Sequence, residues 1–116
     1  MATKFGKYLR KLRIDKSMVI RDMAEILGVS PAYLSAIELG KRAIPDSFVN
    51  NLCSAFKLSD EERENMQQLV DVSQPSIKID LTDADESNRE TMLAFARKFK
   101  ELDDEQLNKL NKMLKE

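Results

Sequence analysis

Along the first seventy residues apolar side chains recur at i, i+3, i+4 and i+7, the period of helices that bury one face. Phe5, Tyr8, Leu9 and Leu12 form the first stripe, with Thr3 placed to cap it and Ile14 the next apolar residue. Met23, Ala24 and Leu27 form the second, over about Ile20 to Leu27. Gly28 ends it, because glycine adopts the left-handed conformation that terminates helices. Ser30-Pro31 opens a third helix: serine supplies a cap, and proline takes the first helical position, where no amide hydrogen is needed. Leu34 and Ile37 point inward there, and Gly40 stops it. Pro45 opens a fourth helix through Phe56. Ser59-Asp60-Glu61-Glu62 is a capping box for a fifth, reaching about Val72 with Met66, Leu69 and Val70 inward.

Beyond Ser73-Gln74-Pro75-Ser76 the pattern changes. Ile77-Lys78-Ile79-Asp80-Leu81 alternates apolar and polar, the period of a strand. No second strand pattern exists in the chain, so this segment is either an extended linker or a strand that pairs with another copy or another protein. Thr82 to Glu86 is acidic and turn-like. A sixth helix, about Ser87 to Leu102, is expected to bury Met92, Leu93, Phe95, Ala96, Phe99 and Leu102. Asp103-Asp104-Glu105-Gln106 starts a last helix striped by Leu107, Leu110, Met113 and Leu114. The predicted fold is all-α. A five-helix domain occupies residues 1–72, a linker with a candidate strand at 77–81 occupies 73–86, and a helical dimerisation or partner-binding element occupies 87–116.

Composition narrows the function classes. With 42% hydrophobic and 34% charged residues, the 116-residue chain is of ordinary globular type. It has no run of roughly 18 apolar residues able to span a bilayer. Met1 to Lys7 lacks the apolar core of a signal peptide, so the expected location is cytoplasmic, with no membrane association. Cys53 is the single cysteine and sits at apolar helical spacing, which makes it a small buried hydrophobe and rules out an internal disulfide. Histidine is absent. The commonest general base and commonest transition-metal ligand are thus missing together, which excludes Ser-His and Cys-His triads and zinc sites. No phosphate loop or carboxylate constellation marks a catalytic site, so no enzyme, cofactor or metal is expected.

The net charge of −1 conceals a division. Residues 1–58 carry ten Lys/Arg against five Asp/Glu, a balance of +5, and residues 59–116 carry nine against fifteen, a balance of −6. A basic half joined to an acidic half suggests a polyanion-binding face beside a segment with another task. Lys4, Lys7, Arg10 and Lys11 form one face of the first helix, and Lys41 and Arg42 follow the third.

Helix pairs joined by a glycine turn are common. The string from Ile20 to Glu38 is more specific. Ala24 is small where two helices cross, Gly28 takes the turn, Val29 plugs beneath it, and Leu34 and Ile37 complete the packing. With Leu12-Arg13 before it and Gly40-Lys41-Arg42 after it, the segment resembles the phage-repressor-like, or XRE, family of helix-turn-helix regulators, over roughly residues 5–70. The resemblance implies a five-helix lambda-repressor-like domain that binds double-stranded DNA. It also implies that Arg13 on the first helix pairs with Glu38 at the end of the recognition helix, where an Arg–carboxylate fork fixes helix orientation.

In such a domain the third helix enters the major groove N-terminus first and shows Pro31, Ala32, Tyr33, Ser35 and Ala36 to base edges. Arg21, in the first turn of the second helix, reaches the groove or a phosphate. The chain departs from better-known members at Pro31, Ala32 and Ala36, which stand where those proteins carry hydrogen-bonding glutamines. Base reading is left to Tyr33, Ser35, thymine-methyl contacts and DNA shape. Ser30, Lys41 and Arg42 are the candidate phosphate contacts, with Lys7 and Lys4 on the first helix weaker ones. Val19 is a second departure, since a polar residue commonly caps the second helix there. Either Ser17 supplies that cap from one turn earlier or the end is uncapped.

Residues 77–116 have no counterpart in the minimal domain. Ile77, Ile79 and Leu81, with Met92, Phe95, Phe99 and Leu102, suit self-association, because such regulators bind palindromes as homodimers. The alternatives are that these helices fold back onto their own domain, or that the acidic tail sequesters a basic toxin, as antitoxins of toxin–antitoxin modules do.

Overall fold

The computed structural model describes residues 1–116, and its only regular elements are helices, with no strand. Its elements are α1 (Lys4–Asp15), α2 (Ile20–Leu27), α3 (Pro31–Glu38), α4 (Asp46–Ala55), α5 (Asp60–Ser73), α6 (Glu86–Lys98), a 3-10 turn (Phe99–Glu101) and α7 (Asp104–Lys115). The chain divides into two units, Met1–Ile77 and Lys78–Glu116.

In the first unit local chemistry ends the helices where it was expected to. Thr3 Oγ1 accepts the Gly6 amide at 3.1 Å, Ser30 Oγ accepts the Tyr33 amide at 3.0 Å, and Ser59 and Glu62 exchange bonds across the α5 capping box. Gly28 and Gly40 both adopt positive φ, 70° and 74°. At α2 no side chain caps the helix, the second of the two alternatives read from the sequence. Ser17 lies in the left-handed region at the end of α1 and caps nothing. Instead the Asp22 carboxylate, three residues inside α2, accepts the Val19 amide at 3.1 Å, which ties down the free N–H despite the apolar residue at the cap.

All fourteen buried apolar residues lie between Phe5 and Val70. Phe5, Leu9, Met23, Leu34, Ile37, Leu52 and Met66 are fully enclosed. Each stripe supplies one part of this single core: α1 packs on α5 and α3, while α2 packs on α3 and α4. Phe5 meets the Phe48 ring edge-on at 6.2 Å between centroids, the favoured geometry for aromatic pairs. Cys53 is buried within the same cluster.

Two polar ties close the unit. Ser73, at the end of α5, is 4% exposed, and its hydroxyl oxygen accepts the Phe5 amide at 3.0 Å. Gln74 forms a two-way pair with Ile44: its Oε1 accepts the Ile44 amide at 2.8 Å and its Nε2 donates to the Ile44 carbonyl at 3.0 Å.

The second unit differs from the expectation in two ways, while the segment before α6 follows the linker alternative. Residues 77–81 form no strand within the chain, because a lone extended segment has no ladder there to satisfy its amides and carbonyls. Asp80 Oδ1 instead accepts from the Thr82 amide and hydroxyl, making a turn; these bonds, the hydroxyl's first, hold the Asp80 carboxyl below its ordinary pKa. The sixth helix is shorter than the stripe implied and tightens into the 3-10 turn at Phe99–Glu101. Finally, α6 and α7 bury no residue. Met92, Phe95 and Leu102 are half-buried, whereas Leu93 and Phe99 are exposed at 52% and 55%. Two short helices without a covering layer cannot enclose an apolar face.

Candidate nucleic-acid interface

The α2–turn–α3 segment is held in one pose by an ionic hub at its last helical residue. Glu38 is 2% exposed and Arg13 is 9% exposed. Arg13 grips the carboxylate with both guanidinium nitrogens: Nη1 donates to Oε2, and Nη2 donates to Oε1 at 3.1 Å. Arg13 Nη1 also donates to Met23 Sδ at 3.6 Å, on α2. One side chain from α1 therefore touches both helices of the pair. Arg10, half-exposed and one turn earlier on α1, adds a longer contact from Nε to Oε1 at 3.4 Å. No buried side-chain polar atom lacks a partner, so the charges inside this unit are fully bonded.

The backbone of Glu38 is held as firmly as its side chain. Its carbonyl accepts the Thr3 amide at 3.0 Å and the Thr3 hydroxyl at 3.3 Å. Gly6 faces the same carbonyl so closely that a Cβ there would lie 2.1 Å from the oxygen. The α1–α3 contact thus requires glycine inside a helix, at a position where glycine otherwise weakens the helix.

The first turn of α3 is left open. Ser30, Pro31 and Ala32 are exposed, while Tyr33, Ser35 and Ala36 are half-buried. Leu34 and Ile37, on the opposite side of the helix, are fully enclosed. The outward surface is therefore small and poor in hydrogen-bonding groups. The Ser30 hydroxyl oxygen is engaged as the cap, which leaves its hydrogen free to donate. Arg21, Lys7 and Lys4 are exposed on α2 and α1. Past the helix, Gly40 and Lys41 close the end with amide bonds back to Ile37 and Ala36, and the side chains of Lys41 and Arg42 stay exposed. The Arg42 guanidinium carbon lies over the Tyr33 ring, 5.4 Å from its centroid.

Of the residues singled out from the sequence, the structure brings Arg13 to Glu38, Arg42 to Tyr33, and Phe95 to Phe99, whose ring centroids lie 5.9 Å apart. Ile77 and Ile79 are exposed and Leu81 is half-buried, in no shared cluster. Sequence reasoning missed Arg10 as a partner of Glu38, and missed Gly6, Ser73 and Gln74 altogether. Only Gly6 carried a local signal, an isolated glycine within a helical stripe.

Comparison with known proteins agrees with this geometry. The family model of the helix-turn-helix domain matches residues 4–66, more than half of the chain. Over 55 residues, 47% of the chain, the sequence is 38% identical to the HTH-type transcriptional repressor RghR of Bacillus subtilis (strain 168). That alignment spans 41% of the relative's length. No solved structure matches the chain.

Proposed function

Since the chain belongs to the helix-turn-helix domain family, we propose that it is a sequence-specific transcriptional regulator, acting as a repressor by occluding promoter DNA. The observation that carries this reading is the pose of α3. Its C-terminal end is bolted to α1 through Glu38, its first turn is open, and two cations follow it. A helix so presented fits a major groove about 12 Å wide. Pro31 and Ala32 offer apolar contact to thymine methyls, and Ser35, Ala36 and Arg21 complete the base-facing set. Ser30, Lys41, Arg42 and Lys7 take phosphates.

Binding selection on random duplexes at two salt concentrations tests this. About five phosphate contacts give a log–log salt slope near −4 to −5. A flat salt dependence, or no enriched sequence, would remove the reading.

The open faces of α6 and α7 support a homodimer on a palindromic operator. Along the sequence the apolar positions follow a heptad-like spacing, Met92 and Phe95 on α6 with Phe99 and Leu102 in and after the 3-10 turn, and Leu107, Leu110 and Leu114 on α7. Each helix has acids at its start and Lys/Arg near its end, so an antiparallel copy sets acid against base. Sedimentation across a concentration series checks this. A chain that stays monomeric would shift the tail to the alternative role, an antitoxin segment that sequesters a toxin.

A further inference from the structure

Arg42 is the exposed arginine beside α3 whose position is fixed without its donors being spent. Arg10, Arg13, Arg63 and Arg89 all donate to protein oxygens. Arg42 donates to none, and no carboxylate lies within ion-pair distance of it. What holds it is the face of Tyr33. A guanidinium held over an aromatic ring by cation–π attraction spends no N–H on an acceptor, so its donors stay free for a forked, two-bond contact with a phosphate. Tyr33 is suited to act as the anvil. It is half-buried, packs against the core, and sits in the first turn of α3, whose Ser30 cap accepts its backbone amide.

We propose that Tyr33 is a positioning residue rather than a base reader, and that it pre-orients Arg42 as a phosphate clamp beside the recognition helix. This rests on the DNA-binding reading above and deepens it. The ring matters and the hydroxyl does not. A pre-oriented Arg42 binds without first losing rotamer freedom, which is where the gain in affinity arises.

The test uses the full chain and a labelled duplex, with affinity measured across a salt series. Tyr33→Phe keeps the ring beneath Arg42 and is expected to leave affinity and salt slope unchanged. Arg42→Ala weakens binding by about five- to tenfold and reduces the salt slope by about 0.9, one phosphate contact. Arg42→Lys keeps the charge but loses the forked donor edge of the guanidinium. It is expected to weaken binding by about threefold with the slope retained. Tyr33→Leu gives a similar loss, and adds nothing further in the Arg42→Ala background, as a coupled pair requires.

A Tyr33→Phe chain as weak as Tyr33→Leu would assign the hydroxyl to base contact and overturn the proposal. So would an Arg42→Lys chain equal to the parent, a result independent of whether Tyr33→Leu folds. A parent chain that binds no duplex at low salt would instead overturn the DNA reading beneath it.

Discussion

The two units of this chain have similar apolar stripes and opposite fates. In residues 1–77 five stripes converge, and fourteen apolar side chains are enclosed. In residues 78–116 two stripes of comparable regularity enclose none. Periodicity reports which side of a helix is apolar; enclosure needs a second surface, and the number of helices decides whether the unit supplies its own. The first unit also carries long-range polar ties, from Thr3 to Glu38, Phe5 to Ser73 and Ile44 to Gln74. Hydrogen bonds in the second unit join near neighbours in sequence.

The sharpest way to break this contrast is at the hub. Glu38→Ala leaves Arg13 buried without its partner, and is expected to destabilise the first unit by about 3–5 kcal/mol in urea unfolding. A loss below about 1 kcal/mol would show that the pair is incidental, since that is what an exposed ion pair contributes. Next is Gly6→Ala. The methyl group collides with the Glu38 carbonyl, and the helices must separate, at a cost of about 1–3 kcal/mol. An alanine tolerated there without loss would mean that the α1–α3 contact adjusts freely.

Smaller still is Ser59→Ala, which removes the α5 cap and is expected to cost about 1 kcal/mol. The same cap has a pH signature. Bonds from the Ser59 amide and then its hydroxyl hold the Glu62 carboxyl below its ordinary pKa of 4.5. A carboxyl depressed in the folded state stabilises the fold above that ordinary value, and the contribution fades as pH falls through the depressed one. Acid titration of the melting temperature should therefore be flatter at low pH for Glu62→Gln than for the parent chain. The smallest effect is expected in the second unit. Phe99→Ser should alter the stability of the first unit by no more than about 0.5 kcal/mol, because it touches nothing enclosed. It should nevertheless weaken self-association in sedimentation.

Much of this was legible from the residues. The five helices of the first unit could be read because caps, glycines and stripes act within a few positions of one another. The Arg13–Glu38 pair was accessible only through family resemblance, since residues 25 apart leave no local pattern. Gly6, Ser73 and Gln74 show the same limit more severely: their partners lie 30 or more positions away, and nothing in a polar or glycine residue names a distant acceptor. Arg10 was counted within a basic face because charge alone does not distinguish solvent from a buried carboxylate. In the second unit the stripe marks the apolar side of each helix correctly. A stripe does not say whether its cover comes from the same chain, and within this chain α6 and α7 bury no residue.

The Gln74–Ile44 pair has a mechanical consequence. The segment leading to the second unit departs from a residue fastened, through two hydrogen bonds, two positions beyond Arg42. Tension along the chain from residue 77 therefore enters the first unit at the loop that follows α3, before it reaches the buried end of α5 at Ser73.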